Sequence, residues 1–190
     1  MQIKNFIREA IALNEKLLND EALLNNIQQA VDVITGCYQN NGKVLLCGNG
    51  GSAADAQHIA AELTGRFKLD RKPLYAEALH CNTSYLTAVA NDYSFDKVYS
   101  RIIESNSMSG DVLVAISTSG NSANIIEACI AARNNDLLVI GMTGDDGGKM
   151  NTLCDILIKI PSENTPRIQE CHIFIGHIIC ELVENKLFKN

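Results

Sequence analysis

The 190-residue sequence contains no tryptophan, only three prolines, and 5% aromatic residues against 46% hydrophobic residues overall. A core short of large rings is built from Val, Ile, Leu and Ala, which suits the doubly covered sheet of an α/β protein. No stretch approaches the roughly 18 uncharged apolar residues of a membrane helix, so no membrane partner is expected. The opening residues 1–8 lack the uninterrupted apolar core of a secretion signal. Positive charge is not in surplus: 16 Lys and Arg face 22 Asp and Glu, a net charge of −6. That balance excludes a broad nucleic-acid footprint, which needs a basic face. Basic residues gather only at Arg66, Lys68, Arg71 and Lys72, read as a solvated loop or a local phosphate contact. The seven cysteines are odd in number and form no Cys-x-x-Cys pair. Most sit inside apolar runs, as small core residues of a reducing, cytoplasmic compartment. There is also no Gly-Lys-Ser/Thr phosphate loop, which excludes nucleotide hydrolysis of that kind.

No linker, repeat or low-complexity segment divides the chain, and its length suits one domain over 1–190. Ile3, Phe6, Ile7, Ala10 and Ile11, then Leu23, Leu24, Ile27, Val31 and Ile34, recur at helical spacing. They predict helices over 3–18 and 21–38, a helical hairpin within residues 1–40. Short apolar runs at 43–47, 75–79, 111–116, 137–141 and 155–160 then alternate with helical stretches. This predicts right-handed βαβ units over 41–190: a three-layer α/β sandwich of the flavodoxin-like kind, its five-stranded parallel sheet flanked by helices. A last helix, about 167–187, is apolar nearly all round between Cys171 and Val183. Burial on every side is expected, either in a central core or, as we favour, in a bundle between subunits with the N-terminal helices.

Two loops carry the chemistry. The run 44–47 leads into Gly48, Asn49, Gly50, Gly51 and Ser52, and the run 112–116 leads into Ser117, Thr118, Ser119, Gly120, Asn121 and Ser122. Small hydroxyl residues and glycine between a strand and a helix build an anion site from N–H groups, hydroxyls and the positive helix end. Two such loops in one parallel sheet point to a phosphorylated small molecule at the carboxyl ends of the strands. A helix read as 53–66 places His58 and Glu62 four apart, on one face. Alone, that spacing suits a structural hydrogen bond as well as a metal chelate or an acid–base pair. The final helix adds Gln169, Glu170, His172 and His177, polar groups in apolar surroundings that require hydrogen bonds or a metal. Three of the four histidines thus lie on two helices. Gln169 and His177 are separated by roughly 12 Å of rise and about 80° of rotation. Glu170 and His177 align better, so spacing leaves Gln169 and Glu170 both open.

With the segments 48–66, Asn91–Asp92, 117–122 and Arg167-Ile168-Gln169-Glu170-x-His172 in unbroken order, the chain resembles the phosphoheptose isomerases of the sugar isomerase (SIS) fold. The resemblance runs from about residue 40 to the C-terminus. It implies interconversion of sedoheptulose 7-phosphate and glycero-manno-heptose 7-phosphate, which feeds heptose nucleotide synthesis for surface polysaccharide. It also implies a homotetramer with sites at subunit interfaces. By resemblance, Ser117, Thr118, Ser119 and Ser122 hold the phosphate, while Asn49, Gly50, Gly51, Ser52, Asn91 and Asp92 position the sugar. His58, Glu62, Gln169 and His177 bind zinc, one Zn2+ per subunit. The resemblance, not the spacing, selects Gln169 over Glu170. Glu62 is then the base and His177 the acid of an enediol proton transfer, as aldose–ketose isomerisation needs. A group that both ligates metal and moves protons leaves two options open: release of Glu62 during turnover, or a partly structural metal. Arg66 stays open between a contact to substrate and a surface ion pair.

Other features read more plainly. Asp145, Asp146, Gly147 and Gly148 make a turn with solvated carboxylates, Glu127 and Lys149 are surface charges, and His80 is structural. Gly48-x-Gly50-x-x-Ala53 partly matches a dinucleotide fingerprint, but only Glu77 stands near the required acidic position and the 117–122 loop has no role there. A non-catalytic relative, binding sugar phosphate or a replication initiator protein, is the stronger rival. Such a protein has no need of Glu62 and His177, and both are present.

Overall fold

The computed structural model describes residues 2–189. Helix α1 (Gln2–Leu18) and helix α2 (Glu21–Gln39) form the expected hairpin, and Asp20 caps α2 by accepting the Leu23 N–H at 2.9 Å. Strands β1 (Val44–Gly48), β2 (Ala76–Ala78), β3 (Val112–Ile116), β4 (Leu138–Thr143) and β5 (Ile156–Lys159) fall on the five apolar runs. They pair in parallel in the order β2-β1-β3-β4-β5. The connecting helices are α3 (Gly51–Thr64), α4 (Thr83–Asp92), α5 (Val98–Asn106) and α6 (Ala123–Asn134), and α7 (Thr165–Phe188) ends the fold.

Two-residue alternation along the strands divides the core. Val44, Leu46, Val112, Val114 and Ile140 face one layer with α2, α3 and α7, and α1 packs on α2 and α7. Leu45, Cys47, Leu113, Ala115 and Val139 face the other, under α4, α5 and α6. The result is the three-layer sandwich that the alternation of runs and helices predicted.

Two local expectations are corrected. Helix α3 begins at Gly51 rather than residue 53 and ends at Thr64, so Arg66 lies in the following loop. Within the basic run, Arg71 is not solvated: its side chain is 3% exposed and paired with Glu184 at 3.0 Å. Within the single chain, helix α7 is covered on one face only. Ile168, Cys171, Ile175, Ile179 and Val183 face the core, while Phe174 is 50% exposed. On α1, Ile3, Phe6, Ile7 and Ile11 are exposed as well. Among the cysteines, five are buried as free thiols, with Cys154 half-buried and Cys81 exposed.

A candidate active site at the carboxyl ends of β1 and β3

In a sheet of order 2-1-3-4-5 the chain leaves β1 and β3 in opposite directions, and the crevice between their carboxyl ends is where such folds take ligands. Both hydroxyl-and-glycine loops end there. Gly50, the residue before α3, has φ +57°, a left-handed conformation that suits glycine. Gly120 has φ +63°, and a Cβ on it would also strike the backbone of Gly147. Asn49 and Asn124 exchange amide hydrogen bonds, each 2.8 Å long, and so tie the first loop to the start of α6. Beneath them, the buried Tyr99 hydroxyl donates to the Gly48 carbonyl at 2.5 Å. Neither α3 nor α6 takes a hydrogen bond from a capping side chain among the described residues; Ser52 and Ala53 donate to the Asn49 and Gly50 carbonyls, which leaves the N–H of Gly51 on α3 and those of Ala123 and Asn124 on α6 available to an anion. Ser117 and Ser122 bring their hydroxyls within 3.2 Å of each other, and Ser119 accepts the Asn121 N–H at 3.2 Å. Thr118 and Ser119 also line a cleft with Gly144, Gly147, Ser162 and Ile168.

The polar cluster forms where α3 and α7 lie side by side. Close packing there depends on Gly176, where any Cβ would press into Ile59. His58 and Glu62 occupy one face of α3, with His58 Nε2 at 3.3 Å from Glu62 Oε1. From α7, His177 brings its Nε2 to 3.0 Å from that of His58, with the rings edge to face. One donor atom from each of the three residues fits within a 4.8 Å span. Phe67 backs the His177 ring at a centroid distance of 5.7 Å. Gln169 lies at the other end of the same contact: a Cβ on Gly51 would overlap its amide. The two helices run in the same direction, so residues 169 and 177 of α7 meet residues 51 and 58 of α3, about two turns apart.

Other predicted residues go elsewhere. His172 does not join the other two histidines: it is fully buried, with Nε2 at 3.1 Å from the Thr143 carbonyl. Glu170 pairs with Arg167 at 2.5 Å, and Arg167 donates to the Phe6 carbonyl at 3.0 Å. Arg66 is exposed, as are Asn91 and Asp92, which hydrogen-bond each other at 2.9 Å. His80 is half-buried, with burial lowering its pKa and with Nδ1 unpartnered among the described residues.

Several residues around the site escape a reading of the sequence alone. Asn124 follows the hydroxyl loop without any motif to mark it. Asp55 sits one turn before His58, and burial raises its pKa. Arg71 and Glu184 pair across 113 residues. A signal for Glu184 did exist: a carboxylate two turns after His177, at the edge of an apolar stretch, needs a partner.

A parallel sheet with a hydroxyl anion loop at its switch point and a carboxylate–imidazole cluster beside it is the layout of a sugar-phosphate isomerase fold. The SIS domain family matches residues 5–144. The chain is 52% identical to the phosphoheptose isomerase of Aneurinibacillus thermoaerophilus, over 99% of this chain and 95% of that one. It is 50% identical to the phosphoheptose isomerase of Clostridium acetobutylicum, over 98% and 97% respectively. The solved structure of the phosphoheptose isomerase GmhA from Neisseria gonorrhoeae superposes with a TM-score of 0.91 at 44% identity, covering 97% of each chain. The chain belongs to the phosphoheptose isomerase family.

Proposed function

We propose that this chain is the aldose–ketose isomerase that converts D-sedoheptulose 7-phosphate to D-glycero-D-manno-heptose 7-phosphate, the entry to heptose nucleotide synthesis. The observation that carries the reading is the convergence of His58, Glu62 and His177 at the helix that leaves the first glycine loop, in a chain with full-length isomerase relatives. Ser117, Thr118, Ser119 and Ser122 take the phosphate, helped by the free N–H groups at the head of α6. Asn49, Gly50, Gly51 and Ser52 receive the sugar, with Arg66, Asn91 and Asp92 assigned to its hydroxyls by family resemblance. Glu62 removes a proton from C1 of the ketose while His177 gives one to the C2 oxygen, which leaves the 1,2-enediol. Return of the proton to C2 and loss of the O1 proton then complete the aldose.

The donor set fits zinc. Two imidazole nitrogens 3.0 Å apart and a carboxylate oxygen, on two helices, are among the nitrogen and oxygen donors that the borderline zinc ion takes. His58, Glu62 and His177 would hold one Zn2+ per subunit, with Gln169 as the fourth ligand by family resemblance. When bound, the ion supplies Lewis-acid polarisation of the sugar oxygens. We read residues 1–190 as one SIS domain and place it in the cytoplasm, which suits its buried free thiols. The apolar row Ile3, Phe6, Ile7 and Ile11 on α1, continued by Phe174, suits a helical bundle between the subunits of a homotetramer.

The test is NMR of the purified protein with sedoheptulose 7-phosphate, with and without a strong chelator. Aldose that stops forming on chelation and returns with zinc supports both the reaction and the metal. Aldose formed regardless of chelator keeps the reaction and removes the metal from it. No aldose under any condition defeats the isomerase reading in favour of a binding protein.

A further inference from the structure

We infer that Glu184 and Arg71 are positioning residues for the proton-transfer pair, an inference that rests on the isomerase reading above. Glu184 lies on α7 seven residues beyond His177, two turns along the same face. It is 1% exposed, and its carboxylate is fully occupied. Oε1 accepts the N–H groups of Lys68 at 2.9 Å and Leu69 at 2.8 Å. Oε2 accepts the Phe67 N–H at 3.1 Å and Arg71 Nε at 3.0 Å. Four bonds fill the acceptor sites of one carboxylate. Arg71 turns the rest of its fork to the end of α3, donating Nη1 to the Leu63 carbonyl at 2.8 Å and Nη2 to the Glu62 carbonyl at 3.0 Å. Those carbonyls belong to the last turn of α3, where no backbone partner exists within the helix.

One buried ion pair therefore braces both sides of the reaction. Through Arg71 it holds the backbone of Glu62 itself. Through the three N–H groups it holds the loop 67–69, and with it the Phe67 ring that backs His177. Neither Glu184 nor Arg71 belongs to the cluster of donor atoms, so they act through their neighbours. Stability alone is a poor account of the pair, because a buried ion pair is often no better than well-packed apolar residues of the same volume. Its geometry is specific: a planar fork on two adjacent carbonyls and a carboxylate on three successive N–H groups fix one arrangement of loop and helix. Proton transfer is sensitive to that arrangement, since a 1 Å misplacement of a reacting group costs on the order of 100-fold.

The experiment uses the full chain with Arg71→Lys and Glu184→Gln. Arg71→Lys keeps the buried charge but loses the fork, and it carries the test should Glu184→Gln fail to fold. The expected result is a kcat about 10- to 100-fold lower, with KM for the sugar phosphate and affinity for inorganic phosphate within about twofold. Full activity in folded Arg71→Lys would overturn the inference, because a charge alone would then suffice. A loss shared equally by kcat and phosphate affinity would overturn it too, since that is general loosening of the fold. If the unaltered chain shows no isomerase activity, the functional reading fails separately. The brace is then judged by the ring resonances of His177 in Arg71→Lys, which shift if it positions that ring and stay in place if it does not.

Discussion

Acidification from pH 7 to pH 4 should weaken the fold, with the largest contribution from one fully buried side chain, His172. Its ring has no accessible surface, Nε2 meets the Thr143 carbonyl at 3.1 Å, and Nδ1 has no partner among the described residues. Burial lowers its pKa from 6.5 to about 4, with the Thr143 bond working weakly in the other direction. The folded-state value thus lies below the unfolded one. Above pH 6.5 the ring is neutral in both states and the fold keeps its full stability. Below pH 6.5 the unfolded chain takes up a proton that the folded chain refuses, so stability falls until the folded ring also titrates near pH 4. The gap between the two values corresponds to roughly 3 kcal/mol. For a chain of 190 residues that is a drop in Tm of roughly 6–12 °C. The comparison is His172→Gln, whose amide can donate to the same carbonyl and does not titrate. Melts of both proteins at pH 7, 6, 5 and 4, at one protein concentration, should show curves that diverge only below pH 6.5. Burial pushes the Glu184 carboxyl up, but three N–H bonds and Arg71 together hold it below its ordinary value, so it adds an acid loss of its own below that value. That loss is common to both proteins and cancels in the difference. Parallel curves would refute the argument.

Further outcomes are expected from the site. Glu62→Gln and His177→Gln should each lower kcat by about 100- to 10,000-fold while leaving the melting curve near that of the unaltered chain; near-normal turnover in both would remove them from proton transfer. Ser119→Ala combined with Ser122→Ala should raise KM by roughly 10-fold or more, since each hydrogen bond to a charged phosphate contributes about 1.5–3 kcal/mol; an unchanged KM would take the phosphate away from that loop. Gly51→Ala should displace the Gln169 amide and reduce activity more than stability, checked by kinetics beside a thermal melt. Gly120→Ala combines a left-handed φ of +63° with a clash against Gly147, and a variant as stable as the parent would contradict the loop geometry.

The sheet was legible in the sequence because each strand is a short apolar run between helical stretches, and all five runs became strands. The helical hairpin was legible from its apolar spacing. What misled at the edges has local causes. Gly51 and Ser52 read as loop residues, yet Gly50 takes the left-handed turn and the helix starts at once. In the site, the spacing of His58 and Glu62 placed them on one face, but nothing local could choose between Gln169 and Glu170. That choice depends on α7 running beside α3 in the same direction, which sets Gln169 against Gly51 and His177 against His58. The same tertiary alignment sends His172 to Thr143 rather than to the cluster. Arg71 was hidden within a basic run that looked solvated, because its partner lies 113 residues further along.

The reciprocal amide pair of Asn49 and Asn124 has a consequence for how the crevice receives its ligand. Each amide gives one bond and accepts one, so a pair of neutral groups is joined before any phosphate arrives. A doubly charged guest has no ion pair to break there, and the second N–H of each amide is not used by the pair. The width of the crevice between the loops is therefore set in advance, independent of pH and salt. Recognition at this rim is that of a rigid mould, in which little ordering free energy is spent at the moment of capture.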